Sequence, residues 1–270
     1  HGEEIFAAAS RQGIDLGFEA SVGGGIPVIR ALMEGLAANN IQSIYGIING
    51  TSNYILSRMT SEGQRFDVVL EEAKRAGYAE ADPTFDVAGT DSAHKLTIMV
   101  SLAYGTPVNF KEIYTEGITG LTPLDIAYAK EFGFTIKLLA IAKYSDGEIE
   151  ARVHPTMVPS ASQIAKVDGV YNATGSAVVS DVMAIARNLL KDAAGRVPPA
   201  SYQPDQRRPL RMRPMEEITS LYYIRFMVVD RPGVLSQIAG VLGRYGISIS
   251  SVLQQGRKEG QTVPVVIMTH

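Results

Sequence analysis

Apolar residues recur every three or four positions along several stretches of the chain, which is the spacing of an amphipathic helix. From Asp91 onward, Ala93, Leu96, Val100 and Ala103 follow this spacing. The same pattern predicts helices at 3–12, 27–38, 66–76, 90–104, 123–132 and 177–194. A further helix is predicted to begin within the Asn-Gly-Thr-Ser-Asn segment at 49–53.

Short runs of apolar and β-branched residues predict strands between these helices. The predicted strands lie at 14–20, 41–48, 134–144 and 148–154. Ser-Asp-Gly at 145–147 is typical of a tight turn, so the last two strands are expected to form a hairpin. Strands that alternate with helices predict an α/β (α+β) fold, in which helices cover a mixed sheet.

The composition of the chain changes after Gly195. Residues 196–219 begin with many Pro and Arg residues and show little periodicity, which predicts a linker. A second unit is predicted to follow, with strands at 221–229 and 247–253 and a turn at 230–233 between the first strand and a helix.

This second unit, residues 220–270, resembles the opening βαβ part of an ACT domain, a module that senses small molecules. An ACT domain normally continues with a helix and a strand after a segment equivalent to 263–269. Since the chain stops at His270, the resemblance implies a partial domain.

Length and composition limit the classes of function. At 270 residues the chain is long enough for about two domains. A net charge of −3 without a long basic run argues against nucleic acid as a partner, and no apolar segment reaches the ~18 residues that span a bilayer. The absence of Cys excludes disulfides and thiolate metal sites and fits the reducing cytoplasm. Because the chain begins with His1 rather than Met, it is expected to be incomplete or processed.

Most of the candidate chemistry lies in the segment GYAEADPTFDVAGTDSAHKL at 77–96. Its acids are Glu80, Asp82, Asp86 and Asp91, and Lys95 follows them. Asp91 and Lys95 are four residues apart with the acid toward the helix N-terminus, the favourable orientation for an ion pair on one helix face. A carboxylate beside an ammonium group can orient it for acid–base chemistry. An ordinary surface ion pair has the same spacing, so the residues alone leave both interpretations open.

The same segment resembles homoserine dehydrogenase, whose members carry the form GYAExDPxxDxxGxDxAxKL. Three further blocks agree with the family: FEASVGGGIPVIR at 18–30, IYGIINGTSNYILSRM at 44–59 and GSAVVSDVMAIARN at 175–188. The resemblance covers most of residues 1–195. It implies NAD(P)-dependent interconversion of L-homoserine and L-aspartate 4-semialdehyde, on the route to threonine and methionine.

The resemblance to this family implies a role for the lysine and for three of the acids of this segment. Lys95 is implied to be the proton-transfer residue, which needs a lowered pKa that desolvation in a cleft can supply. Asp91 is implied to position the substrate and this lysine. Glu80 is implied to bind the α-amino group of the substrate, and Asp86 to support it. Asp82 is expected to be structural because Asp-Pro commonly starts a turn; His94 is expected to be packed or solvated rather than catalytic.

Asn49, Gly50, Thr51 and Asn53 lie where a predicted strand passes into a helix, the usual place for a ligand in an open α/β sheet. By resemblance they line the substrate cleft. Thr51 or Ser52 as a plain helix N-cap is an equally good interpretation of the same residues.

The glycine-rich segment at 23–27 lacks the G-x-G-x-x-G spacing of a dinucleotide-binding turn. A tight turn between strand and helix explains the glycines equally well. The family implies a third role, in which backbone carbonyls hold a monovalent cation, Na or K. The positions that carry over are Glu19, Val22, Gly24 and Ile26.

NADP or NAD is the implied cofactor, but no residue of the chain is assigned to it. Residues 1–20 are expected to be the end of a nucleotide-binding domain, with the substrate-binding and dimerisation domain over 21–195. A homo-oligomer, a dimer or tetramer, is implied. In the ACT-like unit, Asp230 and Gly233 are implied to form part of an effector site, with threonine as a candidate, although ordinary turn and N-cap chemistry gives the same residues.

Relatives usually carry a further strand pair where this chain passes from 171–173 directly into 174–181. The missing strand pair and the missing bulk of the nucleotide-binding domain together predict that these 270 residues are inactive alone. Two alternatives remain: a non-catalytic amino-acid-sensing module of the ACT type, and a divalent-metal hydrolase that uses the four acids between 80 and 91.

Overall fold

The computed structural model describes residues 2–170, 174–203, 205–254 and 260–270. The chain divides into two compact units, residues 1–217 and 218–270. The junction at 171–174, where a strand pair was expected in relatives, includes residues outside the described part of the chain.

The first unit contains eight helices and five strands among its described residues. The helices are α1 (Gly2–Gln12), α2 (Val28–Arg30), α3 (Gly50–Glu62), α4 (Phe66–Arg75), α5 (Thr84–Val87), α6 (Thr90–Tyr104), α7 (Pro123–Glu131) and α8 (Thr174–Leu190). The strands are β1 (Ser43–Gly46), β2 (Tyr114–Thr115), β3 (Phe134–Ser145), β4 (Glu148–Pro159) and β5 (Arg211–Met212). A π-helical turn at Ala31–Gly35 extends α2, and a 3₁₀ turn at Ile164–Lys166 follows β4.

The sheet has the order β1-β3-β4-β2, and β5 also pairs with β4. β3 pairs antiparallel with β1 and β4, whereas β2 and β5 run parallel to β4, so the predicted mixed sheet is confirmed. The β3–β4 hairpin closes where the sequence predicts it. Asp146 and Gly147 have φ angles of 54° and 80°, the left-handed pair that a tight hairpin turn requires.

The sheet positions the helices through its alternating side chains. Ile136, Leu138 and Ala140 of β3 are buried in the main core, which also includes Leu96 and Val100 of α6. The alternate β3 residues lie in a second, smaller cluster on the other face of the sheet. As a result, the start of α3 and the start of α6 are held against the same strand, and their polar side chains come together.

The second unit is a small antiparallel sheet with one helix. It contains β6 (Tyr223–Val229), α9 (Val234–Arg244), β7 (Ile249–Leu253) and β8 (Thr262–Thr269). The predicted β-α-β order is confirmed, and β8 lies between β6 and β7, antiparallel to both. Leu242 of α9 packs on Val265 and Ile267 of β8 to form the core of this unit.

The strand predicted at 14–20 is wrong. This segment is a loop that ends in a 3₁₀ turn at Glu19–Ser21, and a side chain rather than a neighbouring strand binds the backbone of Glu19, whose N donates to Asp181 Oδ2 at 2.9 Å. The Asp15 carboxylate accepts hydrogen bonds from Gly195 N at 2.8 Å and Asn188 Nδ2 at 2.7 Å.

Much of the segment predicted as a linker, residues 196–219, packs against the first unit. Arg208 N donates to the Gly105 carbonyl at 3.2 Å, and β5 pairs with β4. Arg213 forms ion pairs with Glu148 and Glu150 at 2.9 Å, so the arginines of this segment find carboxylates on β4. Among the helices that the structure describes, none has the length and apolar character needed to cross a membrane.

Candidate active site

A cavity of about 500 Å³ lies in the first unit, at the start of α3. Five segments line it: the glycine turn at 20–26, the end of β1 and start of α3 at 47–53, the loop at 77–78, the α5–α6 region, and a segment at 167–170. From the α5–α6 region come Asp86, Asp91 and Lys95, which share the cavity with the predicted cleft residues Asn49, Gly50 and Thr51.

Asn49 connects these groups. It leaves β1 in an extended conformation and caps α3, where its Oδ1 accepts Ser52 N at 2.8 Å. Its Nδ2 donates to Asp86 Oδ1 at 2.7 Å and to Asp91 Oδ2 at 2.9 Å. A side-chain amide has two N–H donors, so both are engaged by carboxylates. Asn49 is 6% exposed, which makes it a buried organiser of the two acids.

Lys95 is held by Asp91 and by the end of β1. Its Nζ donates to Asp91 Oδ2 at 2.7 Å and to the Ile48 carbonyl at 3.1 Å. The two side chains are 26% and 21% exposed, so the pair is open to the cavity without being in bulk solvent. An ammonium group has three N–H donors, and these are its two partners in the described part of the chain, so one donor is available to a ligand.

Gly89 allows α5 and α6 to present both acids to Asn49. Its φ of 82° is in the left-handed region that favours glycine, and it forms the N-cap of α6. A side chain here would approach Thr115 Cγ2 at 3.2 Å and the Glu116 carbonyl at 3.3 Å. The glycine is therefore required by both the backbone angle and the close packing.

The two remaining acids of the segment lie outside the cavity. Glu80 is exposed and is not among the cavity-lining residues, so its role in binding an α-amino group stays a prediction. The Asp82 carboxylate accepts Thr84 N at 3.1 Å, and hydrogen bonds from Thr84 lower its pKa. His94 stacks on Phe110 with ring centres 4.0 Å apart.

These positions do not support the metal-hydrolase interpretation. Within the described ranges, no group of three or more His, Cys, Asp or Glu side chains is arranged to hold a metal ion. The acids of 80–91 are separated by the fold, with two in the cavity and two on the surface.

The glycine turn forms another wall of the cavity. The Glu19 carboxylate is 4% exposed and accepts Ile29 N at 2.8 Å and Arg30 N at 2.9 Å, so it caps the start of α2. Only its backbone oxygen is therefore left for a cation. Gly24 and Ile26 line the cavity, and the Ile26 carbonyl already accepts Val28 N at 2.7 Å.

Thr51 and Ser52 do not cap α3, because Asn49 takes that position. Thr51 Oγ1 instead donates to the Tyr78 carbonyl at 2.8 Å, which fixes the 77–78 loop against α3. Gly50 and Thr51 both line the cavity.

The wall at 167–170 and the buried Lys137 that contacts it were missed by the sequence analysis. Lys137 is the one charged residue in the apolar stretch Phe134–Ala142, and it is 1% exposed. A lone lysine inside an apolar strand is a signal of a buried polar contact, since lysine is rarely buried without partners.

The second unit has a cavity of about 420 Å³ of its own. Asp230, Gly233 and Gln254 are among its lining residues. Gly233 is the N-cap of α9 with a φ of 89°, so the start of this helix borders the cavity.

Comparisons with known proteins identify the family of the chain. A family model described as homoserine dehydrogenase matches residues 27–183, and one described as the ACT domain matches residues 222–270. Homoserine dehydrogenase from Neisseria gonorrhoeae is 48% identical over 292 aligned positions, which cover 100% of this chain and 67% of that relative. Since the alignment is longer than the chain, relatives contain positions with no counterpart here.

Solved structures give the same result. A homoserine dehydrogenase from Thiobacillus denitrificans superposes with a TM-score of 0.92 at 46% identity, covering 100% of this chain and 66% of that one. A more distant hyperthermophilic archaeal homoserine dehydrogenase mutant, in complex with NADPH, has a TM-score of 0.57 at 26% identity and covers 69% of this chain and 60% of its own. The chain spans about two thirds of the length of its more similar relatives.

Proposed function

The chain belongs to the homoserine dehydrogenase family, and we propose that its cavity binds L-homoserine and L-aspartate 4-semialdehyde for their interconversion with NADP or NAD. The observation that carries this proposal is the hydrogen-bonded network of Asp86, Asn49, Asp91 and Lys95 around one cavity. A bound nicotinamide would supply the hydride acceptor for oxidation of the carbon that bears the hydroxyl group, and the hydride donor for the reverse direction. The known NADPH complex of a relative supports this class of cofactor.

Lys95 is the base in this proposal. In its neutral form the amine accepts the hydroxyl proton of homoserine, and in the reverse direction the ammonium returns that proton to the carbonyl oxygen. Asp91, 2.7 Å away, stabilises the ammonium product and orients the Nζ atom. Asn49 in turn fixes Asp91, so the base is positioned through a chain of hydrogen bonds.

The charges of the cavity suit a zwitterionic amino acid. Among the described residues that line the cavity, three carboxylates, Asp86, Asp91 and Asp168, outnumber the one ammonium group, Lys95, and this excess negative charge attracts an α-amino group. We assign this group to Glu80 and Asp86, with Glu80 two residues beyond the cavity-lining Tyr78. The substrate carboxylate is assigned to Gly50 and Thr51, because the N-terminus of a helix favours an anion.

A monovalent cation, Na or K, is proposed at the glycine turn. Carbonyl oxygens suit hard cations, and Gly24 and Ile26 already line the cavity. Glu19 and Val22 would complete the set with their backbone oxygens. The expected result is that replacing K⁺ and Na⁺ by a large organic cation raises the KM for homoserine; an unchanged KM contradicts this site.

The central test, like every kinetic measurement below, uses a protein in which a nucleotide-binding domain accompanies this chain, because these 270 residues are predicted to be inactive alone. The variant is Lys95→Ala, with Lys74→Ala as the matched control. Lys74 also pairs with a carboxylate on its own helix, Glu71 at 3.0 Å, but lies outside the cavity. Removing a general base is expected to lower kcat by ~10²–10⁴-fold, whereas the control should match the wild type. Calorimetry with homoserine should still show binding to Lys95→Ala. Wild-type turnover by Lys95→Ala would refute the proposal.

Glu80 requires its own test because it is exposed in the structure. Glu80→Gln is expected to raise the KM for homoserine and leave kcat nearly unchanged, since it removes a charge that binds substrate rather than a group that reacts. An exposed acid of the same type, Glu71→Gln, is the control. If both variants behave alike, Glu80 has no role in substrate binding.

We also propose that the second unit binds an amino-acid effector, with threonine as the first candidate. Asp230 and the start of α9 at Gly233 border its cavity, and a helix N-terminus suits the carboxylate of an amino acid. Calorimetry of the chain separates the hypotheses. Threonine binding without homoserine binding favours a non-catalytic sensor, whereas homoserine binding that is lost in Asp86→Ala favours the enzyme.

A homo-oligomer, dimer or tetramer, is proposed through the sheet of the first unit. Tyr45 of β1 and Tyr114 of β2 are 52% and 37% exposed, so each places aromatic surface on a strand where a second copy can pack. Analytical ultracentrifugation of Tyr45→Glu should show smaller particles than the wild type. The same mass for both contradicts this surface.

A further inference from the structure

The cavity wall at 167–170 has little support from its own backbone. Within the described part of the chain, it forms one hydrogen bond between backbone groups, and that bond is long: Val167 N donates to the Ile164 carbonyl at 3.4 Å. Nevertheless Val167, Asp168, Gly169 and Val170 all line the cavity. Something other than regular secondary structure must therefore set the position of this wall.

Two buried polar side chains hold it. Lys137 Nζ donates to the Val167 carbonyl at 2.6 Å, to Asp168 Oδ1 at 3.3 Å and to Asn53 Oδ1 at 3.2 Å. Asn53, 3% exposed on α3, donates from Nδ2 to the Val167 carbonyl at 3.2 Å and the Gly169 carbonyl at 2.9 Å. All five N–H donors of the ammonium and the amide are thus used, four on the wall and one between the two side chains.

Lys137 lies where solvent cannot stabilise its charge. Its side chain is 1% exposed and comes from the middle of β3, the strand on which the core is built. Burial lowers its pKa, and Asp168 opposes that effect. A buried charge without partners is strongly unfavourable, so Lys137 and the wall hold each other in place.

The wall closes tightly on the start of α3. A side chain at Gly50 would lie 2.9 Å from Val170 Cγ1, so a small shift of the wall changes the width of the cavity where Gly50 and Thr51 lie. We infer that Lys137 is a positioning residue that, together with Asn53, fixes the 167–170 wall and so determines the affinity of the cavity for its amino-acid substrate. This inference rests on the proposed function.

The first test is Lys137→Met, which keeps the length of the side chain and removes its donors. Lys143→Met is the matched control, because Lys143 lies on the same strand, is 40% exposed and is not a cavity residue. Lys137→Met should raise both the KM and the calorimetric Kd of homoserine by about tenfold, with kcat within about threefold of the wild type. An equal loss in kcat, or no change in a folded variant, overturns the inference.

A second variant keeps the test valid if Lys137→Met does not fold. Gly169 has a φ of 74° with open space around its Cβ position, so Gly169→Ala strains only the wall. Gly63→Ala is its control, since Gly63 has a φ of 66° and open space at the far end of α3. The inference expects a raised homoserine KM for Gly169→Ala alone; equal values for both variants overturn it.

The wild type separates the two proposals. If calorimetry shows that the wild type does not bind homoserine, the proposed function fails. If the wild type binds homoserine and the Lys137 and Gly169 variants bind it equally well, the proposed function stands and the positioning role fails.

Discussion

Replacing Asn49 by Asp tests the organising role of this residue most directly. The side chains have the same shape, and Asp is as good an N-cap as Asn, so the hydrogen bond from Ser52 N should persist. What changes is the amide group. The Nδ2 group, whose two N–H donors contact Asp86 and Asp91 at 2.7 and 2.9 Å, is replaced by an oxygen atom that belongs to a third carboxylate and faces both acids.

The expected effect follows from these two contacts. A hydrogen bond to a charged group contributes ~1.5–3 kcal/mol, and the bond to Asp91 is the one that positions Lys95. Loss of ~3 kcal/mol from transition-state binding corresponds to a fall in kcat/KM of about 100-fold. Repulsion among three carboxylates should add to this loss, because Asn49 is buried and like charges destabilise one another there.

The assay is kcat/KM for homoserine oxidation, followed by the absorbance of the reduced nicotinamide, with the Kd of homoserine from calorimetry as a second readout. Asn109→Asp is the matched control. Asn109 also caps a helical turn, accepting Lys111 N at 3.1 Å, and also donates to a carboxylate, Glu112 at 3.4 Å. If Asn49→Asp and Asn109→Asp have kcat/KM values within about threefold of each other, Asn49 does not organise the acids.

Three further outcomes are expected. Gly117→Ala should lower the free energy of unfolding of the first unit by several kcal/mol, and so lower its urea midpoint, because the added Cβ would lie 2.2 Å from the Val87 carbonyl oxygen. An unchanged midpoint would show that the backbone moves to accommodate the methyl group. Burial lowers the pKa of His154, so its stabilising effect is complete above about pH 6.5 and is lost as the pH falls through its lowered folded-state pKa; His154→Gln should flatten urea midpoints across that range. Hydrogen bonding to Arg211 lowers the pKa of Glu148, so the ion pair stabilises the fold above the ordinary glutamate pKa, and this stability is lost as the pH falls through the lowered pKa. Arg211→Ala should therefore reduce the loss of urea stability at acid pH.

Helix boundaries were largely predictable because the chain marks them locally. The prediction of 123–132 agrees with α7 (Pro123–Glu131), which begins with a capping box between Thr122 and Asp125. The prediction of 90–104 agrees with α6, which ends at Gly105 with a φ of 62°. Caps of this kind involve residues three or four positions apart, so the sequence alone displays them.

The strand predicted at 14–20 failed for the opposite reason. Its apolar residues fit a strand, but Asp15 binds Gly195 N and Glu19 N donates to Asp181, contacts that connect positions far apart in the chain. Local pattern cannot show that these carboxylates replace a neighbouring strand. The Pro- and Arg-rich segment was misjudged similarly, since its arginines pair with Glu148 and Glu150 on β4.

The contacts of the candidate site also differ in whether the sequence alone could predict them. Asp91 and Lys95 are four residues apart, and their contact was predicted from spacing on one helix. Asn49 contacts Asp86 and Asp91 across 37 and 42 residues, so its two engaged donors could be found only from the fold. Lys137 reaches Asn53 across 84 residues and gave only the weak signal of a lysine in an apolar strand.

Asn49 and Asn53 are four residues apart at the start of α3, and each holds a different wall of the cavity. Asn49 holds the acids of α5 and α6, while Asn53, with Lys137, holds the 167–170 wall. Although one helical turn carries both residues, their side chains share no hydrogen-bond partner among the residues that the structure describes. Side chains without shared partners should lose free energy additively, whereas side chains in one network should not. We therefore expect the effects of Asn49→Asp and Asn53→Ala on kcat/KM to multiply, and those of Lys137→Met and Asn53→Ala to fall well short of their product. A double-mutant cycle for each pair measures this, and strong coupling in the first cycle would mean that the walls move together rather than independently on α3.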